Sequence, residues 1–341
     1  MSEASVGGFK AVAKLYNALM TGVVLTLVSQ RDAETARRFV FGHFRRQHLE
    51  KFLPGLAKLG LDGLPHAVAC AQYHYFSNAL GGVKTEYFRE SDAKAWVRYP
   101  PPRWIWQGTA ICAVPREVNE AMLHGWHGHN GVSLGNPRLG FVCTGQTVEG
   151  APGLEGYYFE YDHALSPDER VRFSNERAPK FDAAAAPKLD SATWPEERLR
   201  KVERSYAMEY VRSLLPTMIE LFGAAEAEAL VGRAARLIGL QFYEETAAML
   251  GVAGDDAAAF GRYLGALQRA QGEDVRVEPE EGSCTLAQVG WRLMAGVAPA
   301  GDAAFRAWNA LWEGALAAHN RDLKLDSTFD TGGAAWRITS A

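Results

Sequence analysis

The feature that most limits how this chain can fold is a stretch that occurs twice. Pro115–Gly131, PREVNEAMLHGWHGHNG, reappears in altered form as Asp302–Asn320, DAAFRAWNALWEGALAAHN. Setting Val118 against Trp308 aligns Asn119 with Asn309, Met122 with Trp312, His129 with His319 and Asn130 with Asn320. The segments around the two copies follow the same order of helices, hairpin, helix and hairpin. This predicts a duplicated α+β chain of two tandem related units, each a helical bundle packed on a small antiparallel sheet. The repeat distance is far above the 20–50 residues of stacked repeat arrays, so a solenoid is excluded.

In the first half, Leu15–Val28 reads as an apolar helix and Asp32 opens an amphipathic one running towards Leu53. Leu64–Leu80 is a helix ended by Gly81-Gly82. Val83–Arg89 and Ala95–Trp106 form a first hairpin, Leu139–Val148 and Leu154–Tyr161 a second. Asp182–Trp194 has the Ala/Pro/Ser character of a linker, which places the units at 1–181 and 195–341 with 182–194 between them. In the second half LLPTMIELFG (Leu214–Gly223) echoes FLPGLAKLGL (Phe52–Leu61), leaving an inserted or lengthened helix before the hairpin Asp274–Pro279 and Thr285–Met294. On that reading the helix around Tyr73 corresponds to Phe242–Met249.

A chain of 341 residues, 48% apolar and 22% charged, buries a substantial core. A formal charge of −4 argues against a nucleic-acid partner, and Arg37-Arg38 with Arg45-Arg46 reads as the solvated face of a helix. Cys70, Cys112, Cys143 and Cys284 are scattered without a C-x-x-C pair, so a reducing, cytoplasmic setting is expected. The apolar run Ala18–Val28 is shorter than the roughly 20 residues of a membrane span, so no membrane partner is expected. Neither G-x-G-x-x-G before a helix nor a P-loop occurs, and no nucleotide cofactor is expected.

The candidate chemistry lies in the first half. His129 and Asn130 recur in the second copy, which suits an architectural role at a helix end. His124 and His127 face Gly314 and Ala317 there, so folding of the duplicated unit does not require them. Three imidazoles near a helix end can supply a general base or hold a divalent metal; the spacing matches no zinc signature, and metal is not favoured. His66, Cys70 and His74 share one helix face, where a packed cysteine is the commoner case. Cys112 could act as a nucleophile, although a packed cysteine is again commoner. Glu86 and Glu160 are the strand acids best able to partner a histidine. Tyr73, His74, Glu86, Trp104 and Trp106 are the candidates for holding a substrate in an aromatic pocket. His124 or His127 would then be the base, with His129 and Glu160 orienting it. The Ala-rich second half reads as scaffold, or as a pseudo-symmetric or homodimeric interface.

From Asp274 to Arg337 a hairpin, a Trp-bearing helix with Trp312 and the closing GGAAWRI (Gly332–Ile338) follow a helical bundle. This order resembles the L-2-amino-thiazoline-4-carboxylic acid hydrolase family and, more loosely, the 4-vinyl-reductase-like small-molecule-binding domains. The resemblance covers about the last 140 residues, with a fainter image in the first half. Where family members carry a cysteine near the closing strand Trp336 stands here, so no catalytic residue is carried over. It implies an α+β fold and hydrolysis of a C–N bond in a small cyclic, amide- or amidine-like substrate. The alternative it implies is a non-catalytic small-molecule-binding protein.

Overall fold

A computed structural model describes residues 3–102, 105–190, 192–299 and 301–341. The chain is α+β and divides into two compact units, Leu27–Glu203 and Met1–Thr26 with Arg204–Ala341. The elements are α1 (Glu3–Gln30), α2 (Ala33–Leu59), α3 (His66–Leu80), β1 (Glu86–Arg89), β2 (Lys94–Tyr99), α4 (Arg116–Gly125), α5 (Asn130–Ser133), β3 (Leu139–Gly145), β4 (Leu154–Glu160) and β5 (Val171–Phe173). They continue with α6 (Glu196–Phe222), α7 (Ala224–Leu250), α8 (Ala257–Ala270), β6 (Asp274–Glu280), β7 (Ser283–Val289), α9 (Asp302–His319), β8 (Leu323–Asp330) and β9 (Gly333–Ser340).

The two sheets repeat one topology. The first runs β1-β2-β4-β3-β5 and the second β6-β7-β9-β8. Every pair is antiparallel except β3 with β5, where Phe141, Val142 and Cys143 face Val171, Arg172 and Phe173 in parallel. The strand β5 has no counterpart in the second sheet and was not foreseen. In β8 burial alternates residue by residue, the signature of a sheet with one covered face.

The helices repeat as well, in a different alignment from the expected one. Both α2 and α7 have 27 residues and end on a left-handed glycine, Gly60 (φ 69°) and Gly251 (φ 64°), a backbone conformation that other residues rarely adopt. Both are followed by a helix that packs on the sheet, α3 in one unit and α8 in the other. The counterpart of α2 is therefore α7 and that of α3 is α8, so the second half has no inserted helix. The FLPGLAKLGL echo misled because proline lies inside two unrelated long helices, Pro54 in α2 and Pro216 in α6.

The first helix also departs from expectation. It begins at Glu3, and Val6–Gln30 is long and apolar enough by length and composition to cross a membrane, well beyond Ala18–Val28. Ala11, Val12, Leu15, Tyr16, Leu19 and Met20 on it are buried. The Tyr16 hydroxyl donates to Gln271 Oε1 and accepts from Trp308 Nε1 at 2.9 Å. These contacts explain why residues up to Thr26 belong with Arg204–Ala341 and not, as expected, with 27–181.

Candidate functional site

In the second unit α9 runs unbroken for 18 residues, and Gly239 of α7 lets it lie close: a Cβ there would stand 2.0 Å from the Leu311 carbonyl oxygen. Counting from the terminal glycines, His48 of α2 takes the place of Gly239. There the partner helix α4 stops at Gly125; Trp126 (φ −108°, ψ −71°) departs from ideal α-helical angles, and the chain tightens into a short 3-10 turn over His127–His129. The expected helix through His129 is thus broken, and the following turn carries His127 into the core of the Leu27–Glu203 unit.

A directed chain of hydrogen bonds starts from His48. Its Nε2 lies 3.0 Å from Asn130 Oδ1, Asn130 Nδ2 donates to the Tyr158 hydroxyl at 2.9 Å, and that hydroxyl lies 2.7 Å from His127 Nδ1. The amide oxygen can only accept and the amide nitrogen only donate, so His48 carries its proton on Nε2 and the Tyr158 hydroxyl accepts from Asn130 while it is bonded to His127 Nδ1. The His127 ring stacks on His74 with centroids 4.2 Å apart and planes 13° apart, and it meets Phe141 at 4.3 Å. Phe52, Tyr73, Tyr99 and Trp126 surround these rings.

Burial fixes the charge state. It lowers His48 and His74 to about 3, so both imidazoles are neutral at pH 7. Half-buried His129 is lowered to about 4, first by burial and then by Arg45 and Arg170. Burial raises the Tyr158 phenol and the Cys70 thiol, so neither ionises near neutrality. Cys70 is thereby a packed thiol, not a nucleophile.

Three buried nitrogens in the cluster have no hydrogen-bond partner: His48 Nδ1, His74 Nε2 and Trp126 Nε1. Their rings touch, with Trp126 5.5 Å from His48 and 5.9 Å from His74. A buried polar atom left unpaired costs about 1–3 kcal/mol and is uncommon in native proteins.

Of the expected site residues, His127, His74 and Tyr73 come together, and His129 meets His48 edge-on at 5.2 Å. The others do not join them. His124 is half-buried beside Glu120, and its carbonyl accepts from Arg45 Nη2 at 2.9 Å. Glu160 pairs with Arg138, and Glu86 with Arg98 at 2.8 Å, so neither orients a histidine. Trp106 is buried elsewhere, its indole donating to Asn119 Oδ1 at 2.9 Å. Trp104 lies outside the described residues. Asn130 does not end a helix as expected; it is helical (φ −56°, ψ −46°) and buried in the cluster, while Asn320 is extended and donates to the Asp255 carbonyl. His66 hydrogen-bonds to Asn136, away from His74. Cys112 is exposed on the short turn Gly108–Cys112 that precedes α4. Among the described residues no group of three or more His, Cys, Asp or Glu is placed to hold a metal ion.

Sequence reasoning missed His48 and Trp126. The signal for His48 was its place on α2 one turn from Phe44 and Phe52, an apolar stripe in which a histidine must be buried.

The second unit holds a groove of about 560 Å³ along α7, α9 and β8. The pairs Arg306–Glu228 and Arg236–Glu313 span it from α9 to α7. Its floor residue Asn309 is already engaged with Trp336 and Ser327.

Fold and site together define a duplicated α+β chain with an imidazole–phenol–amide cluster buried in one unit. Comparison of the chain with protein families, with characterised proteins and with solved structures finds no match.

Proposed function

We propose that the Leu27–Glu203 unit binds a small, planar, uncharged molecule bearing an amide- or amidine-like donor–acceptor pair. The observation that carries this reading is the trio of unpaired nitrogens on touching rings. Trp126 Nε1 can only donate, while His48 Nδ1, whose ring proton sits on Nε2, can only accept. A ligand satisfying both offers one acceptor and one donor, as a lactam does. The aromatic walls suit a flat body. The resemblance to the thiazoline hydrolase family points to the same ligand class.

Binding is better supported than hydrolysis. A general base works best with a pKa near the working pH, and His48, His74 and His129, held at about 3 to 4, are weak bases at neutrality. Glu86 and Glu160, the acids expected to assist, are engaged by arginines.

The test is calorimetry and side-chain NMR with 2-pyridone and N-methyl-2-pyridone, which lacks the donor. The expected result is saturable binding of 2-pyridone that moves the His48, His74 and Trp126 side-chain resonances. The N-methyl compound should bind at least tenfold more weakly, as should 2-pyridone to Trp126→Phe. His124→Ala and Glu160→Gln should bind as the parent does. Binding that ignores both the N-methyl group and Trp126→Phe would overturn the assignment.

A further inference from the structure

The turn that carries His127 inward is flanked by two arginines that lack acidic partners. Arg45 of α2 lies against one side: a Cβ on Gly125 would stand 3.4 Å from its backbone nitrogen, and its Nη2 donates to the His124 carbonyl at 2.9 Å. Arg170, just before β5, lies against the other, where a Cβ on Gly128 would stand 3.8 Å from the Arg170 Cβ. Neither makes an ion pair among the described residues. The surrounding arginines do: Arg37 with Glu34, Arg46 with Glu50, Arg138 with Glu160 and Arg172 with Glu169. The Arg45 Nε is buried and has no hydrogen-bond acceptor. Half-buried His129 sits on the same turn, edge-on to His48.

Two guanidinium groups at one turn repel each other, and a half-buried one is screened by solvent less than a surface group. The Arg45 guanidinium lies over the Phe41 ring, 5.3 Å from its centroid, and the partner it still lacks is an anion: a guanidinium presents a fork of donors that fits a carboxylate or phosphate. We infer that Arg45, Arg170 and His129 form an oxyanion clasp at the rim of the buried cluster, taking a carboxylate or phosphate carried by the ligand. This rests on the binding reading above and extends it: the ligand has a flat, uncharged, amide-like body and one anionic substituent. His48 joins the two parts, since its ring touches His129 at the rim and bonds Asn130 within.

The probes are 2-pyridone, its 6-carboxylate, acetate and inorganic phosphate, titrated at low and at 0.3 M salt while the His129 side-chain resonance is followed. The carboxylated pyridone is expected to bind about tenfold more tightly than 2-pyridone at low salt. That gain should vanish in Arg170→Gln and Arg45→Gln and shrink in high salt. Acetate against phosphate distinguishes the sources: the anion that moves His129 at the lower concentration is the group the clasp takes. If 2-pyridone binds but its carboxylate gains nothing and no anion moves His129, the clasp is overturned and the binding reading stands. If an anion moves His129 in the parent and not in Arg170→Gln, while no pyridone reaches the cluster, the clasp stands and the binding reading falls. An anion shift that persists in the Arg45→Gln, Arg170→Gln double variant overturns the clasp. Arg170 is half-exposed, so a melting temperature within about 2 °C of the parent is expected for Arg170→Gln.

Discussion

The imidazoles of His74 and His127 lie face to face, 4.2 Å apart and 13° from parallel, one from the middle of α3 and the other from the turn after α4. A stack this close is stable only while the rings are not both charged. Burial keeps His74 neutral, and the Tyr158 hydroxyl hydrogen-bonds to His127 Nδ1. His48 and His74 are therefore neutral within the Leu27–Glu203 unit. That condition has a consequence for acid stability and another for the hydrogen bonds that hold the rings.

The acid consequence follows from three buried imidazoles, His43, His48 and His74, each lowered to about 3. In the unfolded chain they titrate near 6.5, so above that pH they are neutral in both states and contribute no pH dependence. As the pH falls below 6.5 the unfolded chain takes up protons that the folded one refuses until about pH 3. Stability therefore falls through this window, by about 1.4 kcal/mol per imidazole and pH unit. Urea midpoints followed from pH 7.5 to 4.5 should drop steeply below 6.5. His48→Gln should flatten the drop by about one third of the part these three histidines supply.

Tyr158→Phe tests the chain of bonds. It keeps the ring between Phe141 and His74 but removes the acceptor of Asn130 Nδ2 and the hydrogen-bond partner of His127 Nδ1, inside a region closed to solvent. We expect a loss of about 1–3 kcal/mol in urea unfolding at pH 7.5, with near-ultraviolet dichroism retained. A loss below about 0.5 kcal/mol would mean that other groups satisfy both partners. Tyr157→Phe, half-buried and one position along β4, is the control.

The sequence carried the architecture further than it carried the site. Element order and two hairpins per half were readable because turn residues and hydrophobic periods are local signals. The pairing of α2 with α7 was not, since it depends on which helix packs on which sheet. The site was read from three histidines in one stretch, on the assumption of a continuous helix. Trp126 breaks that helix, which separates His124 from His127 and replaces neighbours in sequence with His48 and Tyr158, residues brought close only by tertiary packing. Glu86 and Glu160 were assigned to histidines because nothing local reveals that Arg98 and Arg138 stand across from them.

The duplicated asparagine offers the same experiment twice. Asn119 accepts from Trp106 and donates to Gln146 at 2.6 Å; Asn309 accepts from Trp336 at 2.7 Å and donates to Ser327 at 3.1 Å. The asparagines align, yet the tryptophans come from different places, a loop in one unit and β9 in the other. A buried polar hub is thus common to both units while its aromatic donor differs. Asn119→Ala and Asn309→Ala each strand an indole N–H in the core, and each should cost about 1–3 kcal/mol. Indole Nε1 exchange measured by NMR should accelerate for Trp106 in the first variant and for Trp336 in the second, and for neither in the other.

The difference between the helix crossings predicts which glycines cannot be replaced. A Cβ on Gly239 would stand 2.0 Å from the Leu311 carbonyl oxygen and 2.7 Å from the Ala315 nitrogen, both backbone atoms that move only if α9 moves. On Gly125 it would meet the Phe41 carbonyl oxygen at 2.8 Å and the Phe44 Cβ at 3.0 Å. Overpacking of this kind typically costs about 1–3 kcal/mol. Since α4 ends at Gly125 while α9 continues past its contact with α7, the short helix can shift more readily than the long one. Gly239→Ala should therefore be the more damaging, at or above the top of that range, and Gly125→Ala should lie within it. Gly63, which has open space where its Cβ would be, should accept alanine within about 0.5 kcal/mol. Thermal unfolding of the three variants checks the order, and equal losses at Gly125 and Gly239 would mean that the break after α4 gives the first unit no added freedom.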